Sequence, residues 1–383
     1  MPMSHVGRTA LLAALLVGCA RAPQPVHFFA DGKPAKLSDW HLVETRDGAL
    51  VPNTGVVPYE LNTPLFSDYA HKFRTVWMPQ GTAAKYAAEG AFDFPVGAVL
   101  TKTFFYPLPG AQRDASSVAR TYDVAHDFAV GTAGEALNLA RVRLIETRLL
   151  VRREHGWDVF PYVWNAEQTD AELARTGDAI ALELVDAAGA HEAFTYVVPN
   201  ENQCAGCHVT NVKGKQIEPL GPRARHLNRD YAYRGGAENQ LAHWTKLGLL
   251  AGTPDAAQMP HDADWRDASA PLEARARAYL DVNCSHCHSP TGPANTTALD
   301  LRSAAADPRR MGFCKPPVAA GRGTGDRLFD IVPGKPDASI LLYRVTSNEP
   351  GVMMPEMGRN TTHKEGVDLL RDWIAETPGN CDS

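Results

Sequence analysis

Cys204-Ala205-Gly206-Cys207-His208 and its counterpart Cys284-Ser285-His286-Cys287-His288 stand about 80 residues apart in the chain. Both read C-x-x-C-H, the attachment signature of c-type haem. Two thiols three positions apart each take one vinyl group of a porphyrin, and the histidine that follows reaches the iron from the proximal side. The spacing predicts two covalently bound haem c groups, one on Cys204, Cys207 and His208, the other on Cys284, Cys287 and His288. Two other chemistries use the same residue types. Four cysteines can close a tetrahedral zinc site, but these pairs are too far apart for a knuckle and each is followed by His. A thioredoxin-like redox pair does not need the histidine twice.

The remainder of the chain sets a context for these motifs. Its 383 residues are 44% hydrophobic and 21% charged, with a formal net charge of -6. That is the composition of a soluble globular protein of two or three domains, with no basic surface that advertises nucleic acid. Arg8 and the apolar run Leu11 to Val17 read as a signal peptide, too short to span a bilayer as a mature helix. The expected organisation is a signal peptide over 1–18, a polar tether over 19–40 and a β-rich domain over 41–265. That domain ends in the first motif and a helical extension, and a haem-bearing domain follows over 266–383.

Strand signals dominate 41–200. Val96 to Tyr106, Arg141 to Arg152, Trp157 to Trp164, Ile180 to Val185 and Phe194 to Val198 are rich in β-branched and aromatic residues. Asp186-Ala187-Ala188-Gly189 reads as a hairpin turn, and 109–140 as a long excursion. Short strands at this spacing predict an antiparallel sandwich or barrel. Pro254, Pro260 and several Asp mark 251–265 as a linker, and Pro271 opens a helix that delivers Cys284. Thr362-His363-Lys364-Glu365 has the form of a capping box before a helix with Val367, Leu370, Trp373 and Ile374 on one face.

Several stretches resemble known families. Leu16-Val17-Gly18-Cys19 resembles the bacterial lipobox, which implies cleavage before Cys19 and lipidation of its thiol. Ala20 in place of Asp implies outer-membrane sorting. With Cys19 lipidated and four thiols on haem, Cys314 and Cys381 remain of the seven cysteines, and an oxidising compartment predicts their disulfide. Phe94-Pro95-Val96-Gly97 and Lys102, ahead of the first motif, weakly resemble the cytochrome P460 and beta-type cytochrome c-prime sandwich, in which a lysine cross-links to haem. The order helix, C-x-x-C-H, Pro333-Gly334-Lys335-Pro336, Met353-Met354-Pro355 and final helix resembles class I cytochrome c domains, which implies Met354 as the sixth ligand of the second haem. The fold class expected from pattern and resemblance together is α+β: an N-terminal antiparallel β-sandwich-like domain followed by a mainly α-helical class I cytochrome c domain. Leu61 to Asp68, Phe92 to Thr103, Pro161 to Asn165 and Asn202 to Asn228 resemble a family of bacterial dihaem c-type cytochrome lipoproteins of unsettled role.

The far side of the first haem has no evident ligand. Of His226, His243 and Met259, His226 is the preferred candidate, with Arg223, Arg225 and Arg229 beside it as partners for haem propionates; an open sixth position is the alternative. The expected function is a periplasmic, membrane-tethered relay of electrons to or from a redox partner protein. The alternatives are a peroxidase-like or P460-like haem enzyme using an open first haem, or a β-rich module that docks a partner.

Overall fold

Buried side chains run almost unbroken through Val99–Pro107 and Val142–Arg153 because both faces of their sheet are covered. The computed structural model describes residues 24–110, 116–122, 125–130, 134–319 and 321–381. The expected signal peptide and Cys19 lie outside the described residues. In the central sheet the order is Ala171–Leu173, Gly156–Trp164, Val142–Arg153, Val99–Pro107, His71–Trp77 and Val57–Tyr59, each antiparallel to its neighbours. Val99 pairs with Val151 and Leu100 with Leu150. Successive side chains leave a strand on opposite faces, so Val99, Leu149 and Val151 enter one core with Leu50, Leu144 and Phe160. Leu100 and Leu150 enter another with Phe92, Leu227 and Trp244.

Three layers result. One face of the sheet carries Val43–Arg46, Ala49–Pro52 and Leu137–Asn138. The other face is shared. At one end lie the strands Ser117–Ala119, Asp178–Val185 and His191–Val198, which bring Val118, Leu182, Leu184 and Tyr196 against Phe104 and Tyr106. At the other lie α1 (Glu201–His208), α2 (Ala224–Leu227) and α3 (Gln240–Lys246). Residues 24–40 are not all tether: Leu37 and Trp40 are fully buried, and Trp40 Nε1 donates to Tyr162 Oη at 2.8 Å.

The expected fold class does not hold. The structure is β-rich, with 27% strand against 20% helix, and 266–383 is not a mainly α-helical domain. Its α-helices are α4 (Leu272–Cys284), α5 (Ile340–Thr346) and α6 (Lys364–Glu376), of 13, 7 and 13 residues. Long loops join them, because Pro308, Pro316, Pro317, Pro333, Pro336 and Pro350 break helical runs before they propagate. Nor is the β part a purely antiparallel sandwich, since Ser117–Ala119 pairs parallel to Asp178–Val185. No helix among the described residues is long and apolar enough to cross a membrane.

α4 and α6 pack through Tyr279, Leu280, Val367, Leu370, Trp373 and Ile374. Helix α6 starts after His363 without a side-chain cap; the Glu365 carboxylate instead accepts a hydrogen bond from Tyr69 Oη at 3.0 Å. Cys314 and Cys381 form a disulfide closing a separation of 67 residues, worth about 4 kcal/mol on loop entropy alone. The stretch 251–265 is pinned to the β-rich part. Thr63 Oγ1 donates to the Ala263 carbonyl at 2.8 Å and accepts from Trp265 N–H at 3.1 Å.

Candidate functional site: two C-x-x-C-H motifs on one cavity

Helix α1 exists because both its first donors are satisfied. The Asn200 side chain accepts from Gln203 N–H and the Gln203 side chain accepts from Asn200 N–H, each at 2.9 Å. This sets Cys204 and Cys207 one turn apart on one side of the helix, with His208 at its end. His208 is buried, and its Nδ1 lies 2.8 Å from the Glu218 carbonyl. A carbonyl only accepts, so Nδ1 carries the proton and Nε2 keeps its lone pair. Burial first, then the charge of Lys102, hold this imidazole neutral, pushed down to about 3.

The second motif repeats the arrangement with different parts. Helix α4 ends on Cys284, and the N–H groups of Cys287 and His288 both donate to the Cys284 carbonyl, at 3.1 and 2.8 Å. His288 Nδ1 is 3.2 Å from Thr297 Oγ1, whose own proton goes to the Ala294 carbonyl at 2.7 Å. That hydroxyl therefore accepts from Nδ1, and Nε2 is again the open nitrogen. Burial, then Arg344 and Lys315, push His288 down to about 4.

All four motif thiols are free. Burial raises the pKa of each, to about 12 for Cys284 and Cys287. A redox-active thiol pair needs the opposite shift. Nor do the thiols converge on a metal-sized point. Among the described residues, three or more potential ligand atoms come within 4.8 Å of one another only at His226, Asp262 and Asp281.

The two motifs share a cavity of about 1050 Å³, walled by Cys207, Cys284, Cys287, His288, Met354 and Met357. Pockets for drug-sized ligands run to about 300–1,000 Å³, so the residues at the second motif fit a haem. A smaller cavity of about 90 Å³ lies beside His208, Lys102, Leu100 and Leu150. It is too small for a macrocycle, and of the first motif only Gly206 and Cys207 reach the large cavity.

Met354 faces that cavity together with His288, whereas Met353 is buried. The loop carrying it is organised by Arg359, which sequence reasoning missed. Its guanidinium donates to the carbonyls of Met354 (2.9 Å), Ser347 (2.7 Å) and Thr361 (3.1 Å), and to Asn348 Oδ1 (2.8 Å). Nothing in the sequence around it carries a signal for that role, because most of its partners are main-chain oxygens.

His226 lines the small cavity, but its Nε2 lies 2.8 Å from Asp281 Oδ2 and 3.6 Å from Asp262. That nitrogen is engaged with carboxylates. Arg223, Arg225 and Arg229 face acidic side chains too: Asp281 at 3.6 Å, Asp262 at 3.1 Å with Glu89 at 2.7 Å, and Glu60 at 3.8 Å. They neutralise carboxylates that are buried at Asp281, Asp262 and Glu60 and exposed at Glu89. Lys102 lines the small cavity with its ammonium 5.2 Å from the Phe104 ring. Comparison with protein-family models, with curated proteins and with solved structures finds no match to this chain.

Proposed function

We propose that the chain binds two haem c groups and relays single electrons between redox partner proteins. The observation that carries this is the shared cavity: thiols of both C-x-x-C-H motifs open onto it, and each motif's histidine presents a free Nε2. Cys204, Cys207 and His208 would hold one haem, and Cys284, Cys287 and His288 the other, with Met354 on the same cavity as His288. Haem c, when bound, supplies an iron that cycles between two oxidation states, and a thioether ligand favours the reduced one. The chain's own residues orient the two imidazoles through Glu218 and Thr297 and hold Met354 in place through Arg359. We place the protein in the periplasm, held to the outer membrane by a lipid on Cys19, on the strength of the lipobox and the haem-attachment motifs.

The test is mass spectrometry and potentiometry of the mature, exported protein. The expected result is the added mass of two haems and two one-electron transitions, of which Met354→Ala lowers one. No added haem, or zinc in its place, overturns the proposal.

A further inference from the structure

The strand His71–Trp77 sends Arg74 into a further cavity, of about 80 Å³, at the seam between the β-rich part and the segment after 265. Phe66, Lys72 and Tyr122 wall it from one side, Trp265 and His363 from the other. One water needs about 10–15 Å³ of such space, so the cavity takes a molecule of several atoms. Arg74 is 6% exposed, and among the described residues its guanidinium has no hydrogen bond and no carboxylate within ion-pair distance. A buried charge left in that state is costly. Burial pulls its pKa below the ordinary value, and Tyr59 and Glu60 oppose that pull without overcoming it. The Tyr122 hydroxyl, on the same wall, is buried with no hydrogen-bond partner among the described residues. The other cations here are committed. Arg229 stands 3.8 Å from Glu60, and Arg266 is paired with Asp264 at 2.7 Å. Lys72 donates to the carbonyls of Leu65 and Ala70 at 2.8 and 2.6 Å, and burial, then Arg74, push its pKa well down. The excess positive charge of the wall therefore rests on Arg74.

We propose that this seam cavity binds a small monovalent oxyanion, of the size of formate, nitrite or nitrate, with the Arg74 guanidinium and the Tyr122 hydroxyl as its donors. Two N–H groups of a guanidinium match two oxygens of a planar anion, so a halide is the weaker ligand. A single uncompensated cation favours a monoanion over sulfate. The rings of Phe66 and His363 stack at 4.3 Å and Trp265 stands edge-on to His363 at 4.9 Å. Such walls lower the local dielectric and strengthen a charge-assisted hydrogen bond. The competing partner of Arg74 is a carboxylate of the haem held by the first motif, because Arg74 also lines the cavity beside His208. Lys72 and Tyr122 line the seam cavity and not that one, which places the anion at the seam. An anion held there touches both parts of the molecule, so its binding stabilises the fold by mass action. The inference does not depend on the two-haem proposal.

The experiment titrates the full exported protein with sodium formate and sodium nitrate by calorimetry, at an ionic strength held with sodium chloride, and follows the optical spectrum and the thermal midpoint alongside. The wild type is expected to take one formate or nitrate per chain, to gain thermal midpoint with either, and to keep its spectrum. Sodium sulfate at the same ionic strength gives no such gain. Arg74→Met is expected to weaken binding about a hundredfold and Tyr122→Phe about tenfold. Should Arg74→Met fail to fold, Tyr122→Phe, which removes a single oxygen, decides. A wild type that binds neither anion overturns the inference, as it would if a haem carboxylate held Arg74. So does binding that Tyr122→Phe leaves at full strength, or binding that shifts the optical spectrum, which puts the anion on iron. A protein that binds formate as described but carries no haem overturns the two-haem proposal and leaves this one standing.

Discussion

Arg359 is 5% exposed, yet its guanidinium rests mainly on main-chain oxygens, with no ion pair to a carboxylate among the described residues. A buried cation of this kind is kept because several acceptors converge on it. They are the turns on either side of Met354, so one side chain fixes where the thioether points. Arg359→Met keeps the stem and removes every donor. It is expected to cost about 3 kcal/mol, because it strands several buried carbonyls at once. Urea denaturation measures the loss, and limited proteolysis should find new cleavage within 347–361. An unchanged midpoint would remove Arg359 from its assigned role. The two C-x-x-C-H motifs were legible in the sequence because their residues are adjacent in the chain. Arg359 was not, since a residue that holds carbonyls leaves no pattern in the side chains around it. His226 was misleading for a related reason: the arginines beside it balance Asp262, Asp281, Glu60 and Glu89, two of them more than 100 residues away from it in the chain.

At the scale of elements, α6 shows how packing overrides propensity. Gly366 sits in its first turn, where alanine would favour the helix by about 1 kcal/mol. A Cβ there, however, would collide with the Tyr279 ring of α4 and with His363 Nδ1. Both are held, since Tyr279 Oη and His363 Nδ1 are hydrogen-bonded at 2.9 Å and the His363 ring stacks on Phe66 at 4.3 Å. Gly366→Ala is therefore expected to destabilise by about 1–3 kcal/mol, the usual cost of overpacking. A thermal or chemical midpoint equal to or above wild type would show that α6 slides away from α4 at little cost. The hydrophobic face of α6 was visible in its periodicity, but the reason for a glycine on that face was not. The cap of α1 is the converse case. Asn200 and Gln203 form a full capping box, while the box expected at Thr362 is absent because Glu365 serves Tyr69. A short motif states what the backbone can do, and the tertiary partner decides whether it does.

At the scale of the molecule, the β-rich part and the segment after 265 are locked together by contacts that no local pattern announces. Asp68 Oδ1 accepts from the N–H groups of Asn360 and Thr361 at 2.6 and 2.7 Å, and Asn283 Oδ1 accepts from Phe66 N–H at 2.8 Å. Strand composition was readable because it is local; these pairings, more than 200 residues apart, were not. A further contact, across 55 residues, joins His226 of α2 to Asp281 of α4. Burial alone would raise the Asp281 pKa. The His226 hydrogen bond and the charges of His226 and Arg223 outweigh it and hold the carboxyl at about 2, below the ordinary 3.8. A carboxyl depressed on folding contributes stability above its unfolded pKa and loses it as pH falls toward its folded one. The contribution, about 2 kcal/mol when complete, is present in full above about pH 5 and is lost as pH falls through about 2. Asp68 works against it: burial raises its pKa, so its protonation on acidification costs the fold less than it costs the unfolded chain. Urea denaturation of wild type and Asp281→Asn at intervals from pH 6 to pH 2 separates the two. Asp281→Asn is expected to be less stable at pH 6 and to lose less on acidification, so that the curves converge near pH 2. Parallel curves across that range would mean that the carboxylate at 281 does not hold the two parts together.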